Sequence, residues 1–177
     1  MILCSLHNVW TLYNVTMVTL RGDRLQWLFF QYWVPNKPTK LRVYIWRKLK
    51  ILRAEKLVEG IYALPLTEKT TEQFEWLSAE VVEMKGEAAL WKAECLSEKQ
   101  EECLIECFKA KARKSYEMIQ EMLLQRPNET LVEWLDHIIR LYADTRFHDY
   151  FNVQDNFTIH AEIVKYRKCE NDMRNMK

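Results

Sequence analysis

The chain has 177 residues, of which 49% are hydrophobic and 29% are charged, and its formal net charge is +1. This composition is sufficient for a packed core and excludes a disordered chain. Only three glycines and four prolines are present, which argues against a turn-rich all-β fold and favours long helices.

Residues 1–24 lie before the first regular pattern. They are apolar, but they contain no Lys or Arg before Arg21 and no small-residue cleavage site, so they do not fit an export signal. Polar residues interrupt the apolar stretch, which is shorter than the ~20 residues that a membrane span needs. We expect an extension outside the patterned domain, which a start codon assigned before Met17 would also explain, and a cytoplasmic protein with no membrane contact.

The first predicted element is a buried strand in residues 25–34, LQWLFFQYWV, an aromatic and β-branched run that Pro35 closes. A helix follows, with Thr39 as its N-cap. Its apolar positions recur every three or four residues and form one face. They are Leu41, Ile45, Leu49 and Leu52. The next run, residues 57–66, is a second strand broken near Gly60, which also fits a short hairpin.

A second amphipathic helix is predicted from Glu72 to Lys85, after the pair Thr70-Thr71 and with its end at Gly86. Residues 87–96, EAALWKAECL, form a last strand-like run. This order of elements is that of the ferredoxin-like split βαβ fold, an antiparallel sheet with two helices on one face. We predict such a mixed α/β (α+β) domain for residues 25–96.

Residues 97–177 are predicted to form a C-terminal helical extension. Ser97 caps a helix of many turns, and the segment Arg126-Pro127-Asn128 breaks it. A second helix follows, and a last helical stretch begins at Thr158. These residues fit two antiparallel helices with a short tail.

The first predicted helix concentrates positive charge in a chain that is nearly neutral. With its apolar face turned inward, the basic residues and one tryptophan fall on an adjoining stripe. The candidate site residues are Lys40, Arg42, Trp46, Arg47, Lys48, Lys50 and Arg53. One interpretation is an anion site for phosphates or a small oxyanion, with Trp46 able to stack on a base.

The second predicted helix has the opposite character, because its glutamates outnumber its lysines. The charge pattern is equally consistent with two neighbouring helices whose opposite charges meet and with two helices whose charged faces are simply solvated. Surface ion pairs contribute only ~0–1 kcal/mol and are common. Composition leaves these interpretations open.

Cys103 and Cys107 stand four residues apart on the long predicted helix, where two thiolates can bind a soft metal or transfer electrons. Apolar residues surround them, and free cysteine behaves as a small hydrophobe. The five cysteines are an odd number without a compact framework, so a disulfide scaffold is not expected. We expect a structural role for these thiols, with no metal and no cofactor.

The segment RFHDYF, residues 146–151, joins a cation, an imidazole and a carboxylate. Neighbours on a helix point apart, so we interpret this segment as a helix end with Arg146 and His148 near the last carbonyls and the aromatic rings turned inward. The sequence shows no nucleophile–base pair, glycine-rich phosphate loop or paired-carboxylate motif. A protein that is not an enzyme is therefore expected.

Three segments together resemble a known family. They are WLFFQYWVPNKPTKLRVYIWRKLK, LVEGIYALP and TEKTTEQFEWLSAEVVEMKGEAALWKAE. They are similar to the N-terminal domain of the bacterial chromate-resistance regulator ChrB, in residues 25–96 specifically and more loosely as far as Asp149–Phe151. The residues that match the family pattern are Arg42, Val43, Tyr44, Trp46, Arg47, Lys48, Leu49, Leu64, Pro65, Gln73, Phe74, Trp76, Leu77, Gly86, Glu87 and Ala88.

This family is associated with chromate-responsive control of genes that include a chromate efflux pump. The resemblance implies a cytoplasmic, non-catalytic sensor or transcription regulator whose basic helix binds DNA, chromate or another oxyanion. Arg and Lys donors suit a tetrahedral dianion for the same reasons that they suit phosphate. A related nuclease fold closes its first strand with a catalytic aspartate, but this chain has Tyr32 and Trp33 at that point.

A protein-interaction module is the alternative hypothesis. In such a module the basic helix pairs with an acidic surface, for example the glutamate-rich helix of a second copy. The chain then forms a homodimer and does not bind nucleic acid.

Overall fold

The structure is a computed structural model that describes residues 25–35, 39–125, 131–153 and 156–175. The predictions for residues 1–24 and for the break at Arg126-Pro127-Asn128 concern residues outside these ranges. The described residues form two compact units. We call the one that ends at Cys107 the sheet unit and the one that begins at Phe108 the helical unit.

The sheet unit contains four strands and two helices in the predicted order. They are β1 (Gln26–Trp33), α1 (Thr39–Ile51), β2 (Glu55–Val58), β3 (Ile61–Pro65), α2 (Glu68–Glu83) and β4 (Glu87–Glu94). Helix α3 (Glu98–Leu124) begins in the sheet unit and continues into the helical unit, which also contains α4 (Leu131–Phe147) and α5 (Asn156–Asn175). The prediction of a mixed α/β fold followed by helices is confirmed.

The sheet is antiparallel with the strand order β2-β3-β1-β4. Strand β1 is central: Trp27 pairs with Pro65 of β3 on one side and with Ala93 of β4 on the other. Strands β2 and β3 form the hairpin that the sequence left open, with Gly60 at φ 76° in its turn. The register shifts between Lys56 and Val58.

The side chains of β1 explain its central position, because they are buried on both faces of the sheet. Phe30 is fully buried, and its ring centre lies 5.1 Å from that of Phe74 in α2. On the opposite face Trp27 is also fully buried, and its indole N–H donates a hydrogen bond to Glu101 at the start of α3. A strand buried on both faces reads as a continuous apolar run, as this one does.

The start of α2 differs from the prediction. The helix begins at Glu68, one turn before the predicted Glu72, with Thr67 as its N-cap. The Thr67 hydroxyl accepts a hydrogen bond from the Thr70 N–H at 3.1 Å, and the Thr67 N–H donates to the Thr70 hydroxyl at 2.9 Å. Thr70 therefore closes a reciprocal capping arrangement inside the first turn, where the sequence placed it before the helix. Its buried hydroxyl also donates to the Pro65 carbonyl at 2.6 Å.

The helical unit has its own apolar core. Its most completely buried side chains come from all three helices and are Tyr116, Ile119, Leu135, Ile138 and Ile159. The rings of Trp134 and Tyr166 meet edge to face at 5.1 Å, and the Tyr166 hydroxyl donates to the Leu123 carbonyl. In the described parts of the chain, no helix has the length and apolarity that a membrane crossing requires.

Candidate anion-binding surface on helix α1

Helix α1 is anchored by two fully buried apolar side chains, Ile45 and Leu49. A left-handed residue, Arg53 at φ 54°, follows the end of this helix. The Arg53 N–H donates to the Lys50 carbonyl, and the Ala54 N–H donates to the Leu49 carbonyl. These two bonds are the pattern of a Schellman motif, which satisfies the last carbonyls of a helix.

The structure places the seven predicted site residues in three different environments. Lys40, Arg42, Trp46, Arg47 and Lys50 are exposed on α1, whereas Lys48 is half-buried. Arg53 is half-buried and lies beyond the end of the helix, in the turn that leads to β2. We call the exposed side opposite Ile45 and Leu49, formed by Lys40, Val43, Trp46, Arg47 and Lys50, the outer surface of α1.

Lys48 lies at the contact between α1 and α2. Its ammonium group is 3.1 Å from a Glu80 carboxylate oxygen, and the Tyr44 hydroxyl donates to the other oxygen at 3.1 Å. The hydrogen bond to Glu80 raises the pKa of Lys48. The two helices are therefore neighbours whose charges meet at this point, and the Lys48 charge is compensated within the fold.

Arg42 lies on the side of α1 that approaches the β2–β3 turn. The pKa of Glu59 in that turn is lowered by its hydrogen bond to Lys56 and, in smaller part, by the charge of Arg42. Burial raises the pKa of Tyr32 to about 12, against an opposing effect of the same guanidinium group. Arg42 thus contributes to the electrostatics of the fold as well as to its surface.

Trp46 and Lys50 form a pair on the outer surface of α1. The Lys50 ammonium group lies 4.2 Å from the centre of the Trp46 ring, a distance at which an exposed cation–π contact contributes about 0.5–1 kcal/mol. The indole is 45% exposed. The contact holds a cation beside an accessible aromatic ring, which is an arrangement suited to nucleic-acid bases and phosphates.

Lys40 and Arg47 are the remaining cations of the outer surface of α1. Within the described ranges, neither side chain has a hydrogen bond or an ion pair with a carboxylate. Lys40 and Lys50 are ten positions apart, or about 15 Å along the helix axis, with Arg47 between them. The nearby glutamates of the sheet unit therefore leave a line of three accessible positive charges.

The predicted thiol pair does not form a metal centre in the described residues. Cys103 is exposed and Cys107 is half-buried on α3. The described residues contain no group of three His, Cys, Asp or Glu side chains that could hold a metal ion. Burial raises the pKa of the third described thiol, Cys95, which disfavours the reactive thiolate form.

The structure reveals a buried carboxylate network that the sequence interpretation of RFHDYF missed. Asp149 is only 5% exposed, and its carboxylate accepts hydrogen bonds from the Tyr116 hydroxyl at 3.0 Å and from the Val153 N–H. Burial raises the pKa of Asp149. The partner Tyr116 lies 33 residues earlier in the chain, so local spacing carried no signal for this contact. The network links α3 to the segment after α4 within the helical unit.

His148, beside this network, caps the end of α4. Its ring nitrogen Nδ1 is 2.9 Å from the Asp144 carbonyl oxygen. The neighbouring Tyr150 is buried and meets the Phe108 ring edge to face at 5.8 Å. The interpretation of this segment as a helix end with inward aromatic rings agrees with these contacts.

Comparison with known families bears directly on the segment that contains α1. Residues 42–125 match the family model described as protein ChrB, N-terminal. The predicted resemblance is confirmed. The ChrB match begins within α1 and extends through α3, and it includes every candidate site residue except Lys40. No curated protein and no solved structure matches the chain.

Proposed function

We propose that this chain is a ChrB-like, non-catalytic cytoplasmic regulator that binds DNA through the outer surface of α1. The observation that carries this proposal is the line of accessible cations formed by Lys40, Arg47 and Lys50, with Trp46 exposed among them. The ChrB match supports a regulatory role for the same segment.

The length of the cationic line favours an extended polyanion. Lys40 and Arg47 are seven residues apart, or about 10 Å along the helix axis. A duplex carries one phosphate charge for about every 1.7 Å of its axis, so one DNA segment contacts all three cations at once. The major groove is also about 12 Å wide and admits an α-helix.

A small oxyanion such as chromate is the second candidate ligand, and the ChrB match favours it. Arg47 and Lys50 are three residues apart and lie on the same side of α1, so their donors can converge on one tetrahedral anion. This candidate uses two of the cations and leaves Lys40 without a role.

The salt dependence of binding tests the DNA proposal. Fluorescence anisotropy with a labelled duplex of about 30 base pairs gives the affinity over a range of NaCl concentrations. Three phosphate contacts predict a slope of log K against log salt of about −3. The variant Arg47→Glu with Lys50→Glu removes two of these contacts and is expected to abolish the salt-sensitive binding.

A matched control separates the effect of the outer surface of α1 from the effect of the change in net charge. Lys92→Glu with Lys114→Glu changes the net charge equally at exposed positions on β4 and α3, and its affinity is expected to stay near that of the wild type. Equal duplex affinity in the wild type and the α1 variant would show that DNA does not bind at α1. The oxyanion candidate replaces the DNA proposal under two conditions. The wild type must have no duplex affinity, and calorimetry must detect chromate binding in the wild type but not in the α1 variant.

A further inference from the structure

The outward side of α2 has a composition that DNA binding does not use. Four of its glutamates are exposed, and they are Glu68, Glu72, Glu75 and Glu83. Among them Trp76 is 69% exposed. Glutamates with a tryptophan form a surface suited to a partner that is both basic and apolar.

The outer surface of α1 has the complementary composition. It presents Lys40, Arg47 and Lys50, and the apolar side chains of Val43, Trp46 and Ile51 are exposed on the same helix. The ion pair between Lys48 and Glu80 places α1 directly beside α2. One face of the sheet unit therefore carries a basic helix and an acidic helix side by side.

We propose that a second copy of this chain docks on this face, with α1 of each copy packed on α2 of the other. Since β1 and β3 are antiparallel and each is followed by a helix, α1 and α2 also run antiparallel. Two identical faces can stack about a two-fold axis perpendicular to the helices, which opposes α1 to α1 and brings like charges together. A two-fold axis parallel to the helices opposes α1 to α2 twice, and electrostatics selects this arrangement.

The Lys48–Glu80 ion pair also sets which residues oppose each other. The ion pair places Lys48 and Glu80 at the same position along the helix axes within one copy. A two-fold axis parallel to the helices keeps each residue at that position along the axis in the second copy. Arg47 and Glu83 are both exposed and lie within one turn of this pair. The arrangement therefore brings Arg47 of one copy next to Glu83 of the second copy, in two equivalent contacts.

The size of the face predicts a weak dimer. Two adjacent helices of 13 and 16 residues are about 20–24 Å long and cover roughly 400–500 Å² per copy, against about 800 Å² in a standard stable interface. We expect dissociation constants on the order of tens of micromolar and strong sensitivity to salt. The dimer covers Lys40, Arg47 and Lys50, so dimerisation and DNA binding exclude each other. This regulatory consequence rests on the proposed function, whereas the dimer itself does not.

Sedimentation velocity with charge-swapped variants tests the arrangement. The wild type is expected to dimerise at about 50 mM NaCl and to dissociate at about 500 mM. Arg47→Glu alone and Glu83→Arg alone each place like charges at both contacts, so each variant is expected to be monomeric. An equimolar mixture of the two variants restores opposite charges at both contacts and is expected to dimerise. Recovery in the mixture also shows that both variants are folded.

The controls are Lys92→Glu and Glu121→Arg, which make the same charge changes at exposed positions on β4 and α3. Both are expected to dimerise like the wild type. A wild type that stays monomeric at low salt, a dimer that both α1 and α2 variants leave intact, or a mixture that stays monomeric would each overturn the proposal. Glu83→Arg is expected to remove the dimer but leaves every cation of α1 in place. If this variant and the wild type both lack duplex affinity, the DNA proposal fails independently of the dimer proposal.

Discussion

Two basic residues occupy backbone positions that usually belong to glycine. Arg53 and Lys85 have φ values of 54° and 60°, and each follows a helix of the sheet unit. After α2 the Lys85 N–H donates to the Val82 carbonyl and the Gly86 N–H donates to the Val81 carbonyl. Both helices thus end in the same hydrogen-bond pattern. The sequence predicted glycine as the terminator of α2, but the left-handed position belongs to the residue before it.

Lys85→Gly is expected to stabilise the protein. A side chain in the left-handed region costs about 1–2 kcal/mol, whereas glycine costs about 0.5–1 kcal/mol through the entropy of the unfolded chain. The free energy of unfolding should therefore rise by about 0.5–1 kcal/mol, measured by urea denaturation. Lys85→Ala removes the same charge but keeps the strained backbone, so a similar gain in that variant would contradict this explanation.

At the scale of elements, Gly86 allows α2 to pass directly into β4. A Cβ atom at this position would lie 2.6 Å from the Trp33 carbonyl oxygen and 2.8 Å from a methyl carbon of Val34. The first of these atoms belongs to the backbone of the central strand and cannot turn away. The glycine is required by this close approach, and its φ plays no part.

Gly86→Ala is expected to destabilise the sheet unit by about 1–3 kcal/mol, the usual cost of forcing an extra carbon into a packed site. Thermal unfolding followed by circular dichroism measures the effect as a lower Tm. The adjacent Lys85→Ala serves as the control, because Lys85 is exposed. An unchanged Tm for Gly86→Ala would show that the end of β1 yields to the added methyl group.

The elements were predictable where a pattern is local. The periodicity of α1 identified Ile45 and Leu49 as buried, and both are. The start of α2 was not predictable from the same pattern, since it depends on a reciprocal bond between Thr67 and Thr70. Three threonines in one short segment, Thr67, Thr70 and Thr71, offer several caps of similar quality. The buried hydrogen bond from Thr70 to the Pro65 carbonyl selects one of them.

The candidate site was predictable in outline only. Helical spacing placed Trp46 and Lys50 on one stripe, and the structure brings them into contact. The compensation of Lys48 by Glu80 could not be read from the sequence, because these residues are 32 positions apart and meet only when α1 and α2 pack together. Tertiary packing therefore decides which of the helix cations stay accessible.

At the scale of the whole molecule, stability is expected to depend on pH through Asp149. Burial raises its pKa above the ordinary value of 3.8. At pH values between 3.8 and the raised pKa, the Asp149 carboxyl group therefore keeps a proton in the folded protein that it releases in the unfolded chain. Its contribution to the free energy of unfolding is therefore largest at low pH and is lost as the pH rises through the raised pKa.

Asp149→Asn removes this titration while keeping an oxygen that can accept from Tyr116 and Val153. We expect the stability of the wild type relative to this variant to fall as the pH rises from about 4 to about 7. Thermal unfolding of both proteins across that range measures the difference. A difference that grows in favour of the wild type toward neutral pH would mean that the hydrogen bonds from Val153 and Tyr116, with the smaller effect of the Arg146 charge, outweigh burial at this carboxylate.

The strand order of the sheet has a consequence for behaviour at high concentration. Within the residues that the structure describes, β2 and β4 are its two edges. Open edges are the usual starting points of strand-to-strand aggregation. Strand β2 is only four residues long and irregular between Lys56 and Val58, and β4 carries Glu87, Lys92 and Glu94 along its length. The irregular edge of β2 and the charged edge of β4 both disfavour pairing with a strand of a neighbouring molecule. We therefore expect that many copies bound close together on one DNA molecule do not form fibres.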